Sequence, residues 1–525
     1  MKINYITLAT LFAFGTASNV RAQTATKQLT VTIDGSKTAQ TVHNIGASGC
    51  WFSEGIGKYW PSAKREKIAE LLFSKQSDAQ GNPKGIGLSA WRFNIGGGTA
   101  EQGDSSGIVD FRRRAESFLA PDGTYDWNKQ AGYQWFVRKA KSYGVENLIA
   151  FSNTPPVQFT KNGRGFKTEK DYISNLKEDK YDAYTAFLTE VIKHFDKEGL
   201  HFSYISPVNE PQWDWSNPPG KASQEGSPWT NAEIHRVIKS LNAELEKNKL
   251  STRILTTEAA MLTYLYSGKT ASSKQIQQLY ADTAKLNFSK LKFVPPVVAG
   301  HSYFTDKGDS TIINVRKNVA DTAKKYGLEY WQSEYSMLDD GFREGEKGRR
   351  SAIDCALFLA KMIHHDLTVG NASAWHLWNS YEPGGAEFDT RYYLIALNPN
   401  KEYTDGEFTV TKNLWAMGNY SLFVRPEMKR IAVKRNDNLN LYKQAQDVMV
   451  SAYTNGKGKL VVVAINYTRD ITALKLNLSN LKKGSTYRTY VTSAAADDNL
   501  KASLVQKAGG PVMLKPRSVT TIVFN

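Results

Sequence analysis

The hydrophobic pattern of this 525-residue chain changes period twice. "KQLTVTIDGSKTAQTV" (27–42) alternates apolar and polar residues, which predicts strand with a turn at Asp34-Gly35. From residue 43 to 427, short β-prone runs alternate with longer amphipathic helical runs. The β-prone runs are "NIGASG", "LSAWRFNIG", "NLIAFSN", "FSYISPVNE", "RILTTEA", "PVVAGHSY", "EYWQSEYS" and "ASAWHLWNS". Helical stretches such as "AKREKIAELLFS" and "NAEIHRVIKSLNAELEKN" lie between them. Eight strands, each followed by a helix or helix-like segment, predict an α/β fold, a (β/α)8 TIM barrel. A doubly wound open sheet competes, but no glycine-rich phosphate loop follows the first strand. From residue 428 to 525, short strands such as "DVMVSAYTN" and "KLVVVAINYT" are separated by Gly, Asn, Asp and Lys turns, a β-sandwich pattern. The strands within residues 23–42 have no partner in the barrel, so both chain ends are expected to build one side domain.

Length and composition suit a large domain plus a smaller one: 22% charged and 41% hydrophobic residues argue against disorder. Residues 1–22 carry the marks of a secretory signal, with Lys2, the short apolar run "YITLATLFAFG" and a small-residue cut at Ala22. That run is too short for a stable membrane span, and no later run is longer. Export to the periplasm or beyond, as a monomer, is the expectation. Cys50 and Cys355 are the only cysteines, too few for a disulfide framework, and are expected as buried thiols. The formal charge of +16 falls to +14 without Lys2 and Arg21. Its positive residues are scattered, no nucleic-acid motif is present, and solubility explains most of it.

The chemistry concentrates where a barrel places its active site, at the C-terminal strand ends. The fourth run ends in Asn209-Glu210 and the seventh in Ser333-Glu334. Arg92 and Asn94 end the second, Asn153 the third, His301 and Tyr303 the sixth, and Trp375 and Trp378 the eighth. Two facing carboxylates are what glycosidic cleavage needs, one protonated to serve the leaving oxygen and one ionised to attack or activate water. Pro211 and Trp213 flank Glu210 and should raise its pKa by desolvation, which suits it as the proton donor. Arg92 and Tyr303 are donors suited to keeping Glu334 ionised.

"SPVNEPQW" and "WQSEYS" resemble clan A glycoside hydrolases, specifically glycoside hydrolase family 30. "HNIGASGCW", "WRFNIGGG", "SNTPP", "NLWAMGNYSLFVRP" and "LKPRSVTTIVF" extend the resemblance over nearly the whole mature chain. It implies a retaining mechanism with Glu210 as acid/base, Glu334 as nucleophile, and carboxyl groups about 5–5.5 Å apart. It also implies that Asn209 contacts the sugar 2-hydroxyl, Tyr303 orients the nucleophile and Arg92 supports it. "WRFNIGGG" with "SQEGSPW" is most like the endo-β-1,6-galactanases, implying a polysaccharide substrate of the arabinogalactan side-chain type. Alternatives are a β-1,6-glucanase or xylanase, or a sugar-binding barrel without catalysis. Trp91, standing where another aromatic is common, and the insert "EQGDSSGIVDFRRRAESF" depart from the family pattern and bear on specificity.

Other features carry blander explanations. Glu225 either caps a loop or binds a substrate hydroxyl, and Glu258 either lines the cleft or is a structural partner. Gly96, Gly97 and Gly98 suit a close backbone approach better than a phosphate cradle. His364 and His365 are adjacent on a helix and so diverge; no metal or cofactor is expected. Trp51, Trp213, Trp215, Trp229 and Trp378 suit stacking on sugar rings, with packing under loops as the alternative. Arg112, Arg113 and Arg114 form either a solvated loop or a site for an acidic sugar.

Overall fold

The computed structural model describes residues 26–481 and 484–524, so the signal expected over residues 1–22 lies outside the described residues. A closed parallel barrel is built from Asn44–Ser48, Ala90–Asn94, Asn147–Phe151, Phe202–Ser206, Arg253–Ile254 with Thr256–Ala259, Val297–His301, Glu329–Glu334 and Ala374–Leu377. The sheet has nine segments, two of which are halves of one strand broken at Leu255, leaving eight barrel strands. Ala374 pairs with Asn44 in parallel and closes the ring. The strands are buried along almost their whole length, which explains their unbroken apolar runs. Helices surround them. In Asn231–Lys247, Thr230 and Glu233 form a reciprocal capping box, and Ile234, Val237, Ile238, Leu241 and Leu245 make the buried face.

The second half of the fifth strand is itself kinked, with a register shift between Thr256 and Ala259. Thr257 and Glu258 sit at φ 78° and 37°, in the left-handed region that side chains other than glycine rarely adopt. The Thr257 hydroxyl donates to the Ala299 carbonyl (2.6 Å) and accepts from the Ala299 amide (3.0 Å), replacing ladder bonds with a side chain. The kink leaves the Glu258 carboxylate among neighbouring strands at the barrel centre.

A separate β domain is built from both ends of the described chain. Lys27–Thr41 pairs antiparallel with Lys429–Arg435 and parallel with Thr472–Ser479, within one ten-stranded sheet. The turn expected at Asp34-Gly35 is instead a bulge inside one long strand, with register shifts between Asp34 and Thr41. A Cβ on Gly35 would lie 2.5 Å from the Asn480 carbonyl oxygen, so the close approach itself requires glycine. Strand Leu460–Asn466 belongs to two cores at once. Val461, Val463 and Ile465 join the barrel's apolar cluster, while Leu460, Val462 and Ala464 join the side domain's own. A period of two with both faces buried produces the unbroken "LVVVAI". A three-stranded sheet (Tyr381–Pro383, Ile395–Pro399 and Gly406–Val410) follows the eighth barrel strand and has no counterpart in the sequence-based expectation. Cys50 and Cys355 are buried free thiols, and no helix among the described residues is long and apolar enough to cross a membrane.

The two units are also joined by charge. Lys361, on helix Ala352–Thr368, is fully buried and pairs with Asp309 at 2.6 Å and Glu344 at 2.7 Å. Its ammonium lies 4.6 Å from the ring centre of Tyr467 in the side domain, whose hydroxyl donates to Glu344 at 2.8 Å. Removing the cation strands two carboxylates that keep only partial access to water. Lys361→Ala is expected to cost about 2 kcal/mol, below the full penalty of a wholly buried pair. The measurement is the denaturant midpoint; an unmoved midpoint would show that water replaces the lysine.

Candidate active site

Glu210 lies four residues past the end of the fourth barrel strand (Phe202–Ser206), at φ 45°, and its conformation is held from three sides. Its amide donates to the Glu258 carbonyl (3.0 Å). Its own carbonyl accepts from the Trp213 amide (3.2 Å) and the Trp215 indole N–H (3.1 Å). The tryptophans after Glu210 thus lock the turn that presents it as well as lining the cleft. Glu334 ends the seventh strand, where Arg92 Nη1 donates to Oε2 at 2.6 Å and the Tyr303 hydroxyl to Oε1 at 2.9 Å. His301 Nδ1 lies 2.9 Å from Glu210 Oε1 and 3.5 Å from Glu334 Oε1. One ligand atom from each of Glu210, His301 and Glu334 falls within 4.8 Å of the other two.

The two carboxyls sit in unlike surroundings. Burial is the largest influence on Glu210 and raises its pKa, against the opposing bond and charge of His301. Glu334 faces a guanidinium and a phenol, both of which stabilise an anion. Burial, with the adjacent Glu334 and Glu210 charges, drives Tyr303 well above the usual phenol range, so it stays a donor. The cluster has the size of a metal site, but His301 presents both ring nitrogens to carboxylates, Nε2 facing Glu258 at 3.3 Å. Protons on those nitrogens satisfy the arrangement without an ion.

The carboxylates open into a cleft of about 540 Å³ lined by aromatic residues. Trp51 and Trp378 pack edge to face at 5.1 Å, and Trp213 and Phe304 do so at 6.0 Å. Trp215 joins this lining. Asn209 Nδ2 donates to Asn153 Oδ1 at 3.1 Å, and Asn153 Nδ2 to Asn94 Oδ1 at 3.2 Å. This relay orients Asn209 while its Oδ1 has no protein partner. That oxygen is buried and unpaired at the edge of the cleft that Asn209 lines.

Several expected contacts are placed elsewhere. Glu225 is wholly buried and accepts from the Gly97 amide (3.2 Å) and the Thr99 hydroxyl (2.6 Å), tying two loops together outside the cleft. Asn94 is buried behind Asn153, while Arg92 and His301 are buried against the carboxylates and reach no cleft surface. Trp229 is buried and stacks on Tyr184 at 6.3 Å, so its loop-packing explanation holds. Of the three arginines, Arg112 pairs with Asp110 and Arg114 with Asp104. Arg113 lies 4.9 Å over the Trp51 ring on the cleft wall, which Glu382 also lines. Glu382, Tyr392, Phe304 and Leu338 reach the cleft without having been singled out. Glu382 lies on the short strand Tyr381–Pro383 and the other three in loops, none of which carries a periodic signal in the sequence. Of the two readings of Glu258, its full burial and the bonds it accepts from Ser206 and Ser333, both at 2.5 Å, support the structural partner.

A closed parallel barrel with two unlike carboxyls at its strand ends and an aromatic cleft between them defines the glycosidase class of site. The chain matches the model of O-glycosyl hydrolase family 30 over residues 28–388 and belongs to that family. It is similar to an endo-β-1,6-galactanase of Hypocrea rufa, 24% identical over 503 residues, covering 92% of this chain and 91% of that protein. A glucuronoxylanase of Bacillus subtilis (strain 168) is 26% identical over 404 residues, covering 74% and 78%. The crystal structure of a conserved exported protein from Bacteroides fragilis superposes with a TM-score of 0.86 at 34% identity, covering 94% of this chain and all of that one. The chain is thus an O-glycosyl hydrolase, and the retaining mechanism is general to its clan.

Glu225 provides a pH test of this scaffold. Burial pushes its carboxyl from 4.5 up to about 7, despite the opposing bonds from Thr99 and Gly97. Through that window the folded state keeps a proton that the unfolded chain releases, so stability falls as pH rises. Glu225→Gln removes this loss. Its melting temperature relative to the parent should improve between pH 5 and 8, by the equivalent of up to about 3 kcal/mol. A difference independent of pH would show that Glu225 does not titrate in this range.

Proposed function

We propose that this chain is an exported, endo-acting retaining hydrolase that cuts β-1,6-galactan of the arabinogalactan side-chain type. The observation that carries the chemistry is the pairing of Glu210 and Glu334. Their oxygens come within 4.8 Å in environments that favour a protonated Glu210 and an ionised Glu334. This separation suits the retaining geometry, in which carboxyl groups stand about 5–5.5 Å apart. Glu210 protonates the glycosidic oxygen as its bond to C1 breaks, and Glu334 bonds to C1. Water then attacks C1 while Glu210 takes its proton, the ester bond breaks, and both carboxyls return to their starting states. Asn209 Oδ1 accepts from the sugar 2-hydroxyl, and Trp51, Trp213 and Trp378 present ring faces or edges to the sugar. The galactan assignment is supported by the Hypocrea rufa relative's match over almost the whole chain and by the "SQEGSPW" motif. The leader-like first 22 residues support export, and the protein is expected to act as a monomer.

Product analysis on β-1,6-galactan, β-1,6-glucan and glucuronoxylan tests this function. Short β-1,6-galacto-oligosaccharides are expected, with Glu334→Gln abolishing their release and Glu210→Gln lowering kcat by about 10²–10⁴-fold. Cleavage of another polymer keeps the mechanism and overturns the substrate. Binding without cleavage of any polymer would favour the sugar-binding alternative. Arg113 supplies a second comparison. If its guanidinium receives a uronate, Arg113→Ala lowers cleavage of uronate-bearing oligosaccharides more than of neutral ones. Equal, unchanged rates on both would remove that role.

A further inference from the structure

Glu258 is a buried carboxylate with no place in the two-carboxyl mechanism. It is fully buried and outside the cleft. The Ser206 and Ser333 hydroxyls each donate to it at 2.5 Å, His301 Nε2 lies at 3.3 Å, and Arg92 Nη2 at 3.8 Å. Such a set of donors is built around an anion. Burial opposes ionisation, but the His301 bond and the Arg92 charge prevail and hold the Glu258 carboxyl at about 2.

His301 faces carboxylates through both nitrogens. Nε2 faces Glu258, while Nδ1 faces Glu210 at 2.9 Å and Glu334 at 3.5 Å. Ionised Glu258 and Glu334 have no proton to give, so contact with both calls for an N–H at each nitrogen; a neutral imidazole carries only one, and these two contacts point to the imidazolium. Burial alone would lower the His301 pKa, but the Glu334 charge and the bonds to Glu210 and Glu258 push it up to about 10. The other groups facing it fit a cation. Tyr303 meets the ring edge to face at 5.7 Å, Arg92 is occupied by Glu334, and burial holds the nearby His376 at about 3, uncharged.

The formal charges then cancel. Arg92 and His301 are positive, Glu258 and Glu334 negative, and Glu210 neutral. When Glu210 gives its proton to the leaving oxygen and Glu334 forms the bond to C1, Glu210 becomes the anion and Glu334 a neutral ester. The sum stays zero, but the negative charge has crossed from one side of Nδ1 to the other. We propose that Glu258 is a positioning residue that holds His301 as a fixed imidazolium, whose Nδ1–H serves whichever of Glu334 and Glu210 carries the charge. This rests on the roles proposed above for those two glutamates, but its first test does not.

That test is NMR of the full chain with 15N-labelled histidine. At about pH 9, where an ordinary histidine is neutral, one doubly protonated ring should persist. Its absence in the parent chain overturns the proposal whether or not any glycan is cleaved, and no variant need fold. In Glu258→Gln that ring should titrate below about pH 8; an unchanged signal would also overturn the role of Glu258. The second readout is the pH profile of kcat/KM on the substrate identified above. Losing the imidazolium removes the bond and charge that oppose the effect of burial on Glu210, so the limb that Glu210 sets should move up by about one unit. Glu258→Asp should restore much of the parent profile. A lower rate with that limb unmoved would mean that Glu258 only supports the fold.

Discussion

The organising constraint is the burial of three carboxylates at the centre of the barrel. Glu210, Glu258 and Glu334 lie where water is scarce, and like charges so close cannot all ionise without compensation. Arg92 supplies one positive charge and, as proposed above, His301 a second, which leaves one carboxyl favoured as the neutral acid. The difference between Glu210 and Glu334 therefore arises from the whole cluster. Glu334 takes the guanidinium and the phenol, Glu258 takes two serine hydroxyls, and Glu210 keeps one shared contact with His301 and the largest influence from burial.

The scaffold is shaped to hold this cluster. Arg92, Glu258, His301 and Glu334 come from the second, fifth, sixth and seventh strands and Glu210 from the segment just after the fourth, so their spacing depends on barrel closure. The fifth strand gives up regular pairing at Thr257 and Glu258 to place its carboxylate, and the Thr257 hydroxyl repairs part of the ladder. Glu210 also adopts a left-handed backbone and is braced by the Trp213 amide and Trp215 indole. Backbone conformations of this kind persist only where surrounding contacts over-determine them.

Much of this architecture was legible because both barrel faces and strand ends leave periodic or terminal signals. Each of the eight β-prone runs corresponds to a barrel strand, and Glu210 and Glu334 stand at the ends of theirs. The C-terminal runs also become strands of the side domain. What escaped was relational. "TTEA" does not reveal a left-handed Glu258 facing His301, because those groups meet only after the barrel closes. Glu225 and Trp229 share the quoted "SQEGSPW" with cleft-lining Gln224, yet one ties Gly97 to Thr99 and the other packs on Tyr184. Asp34-Gly35 was expected as a turn because local chemistry favours one, but pairing on both sides carries the strand through as a bulge.

The same separation explains why chemistry and specificity have different structural supports. The charged groups that give Glu210 and Glu334 unlike surroundings come from barrel strands and their immediate ends, held by buried partners. The cleft walls draw on Trp51, Arg113, Phe304, Leu338 and Glu382, from loops and the small added sheet. Arg113 lies across Trp51, whereas its neighbours Arg112 and Arg114 are tied to Asp110 and Asp104. None of these three contacts involves Glu210 or Glu334. Under the proposed function, changes in such loops would alter which sugars the cleft accepts while the charge cluster keeps its own contacts.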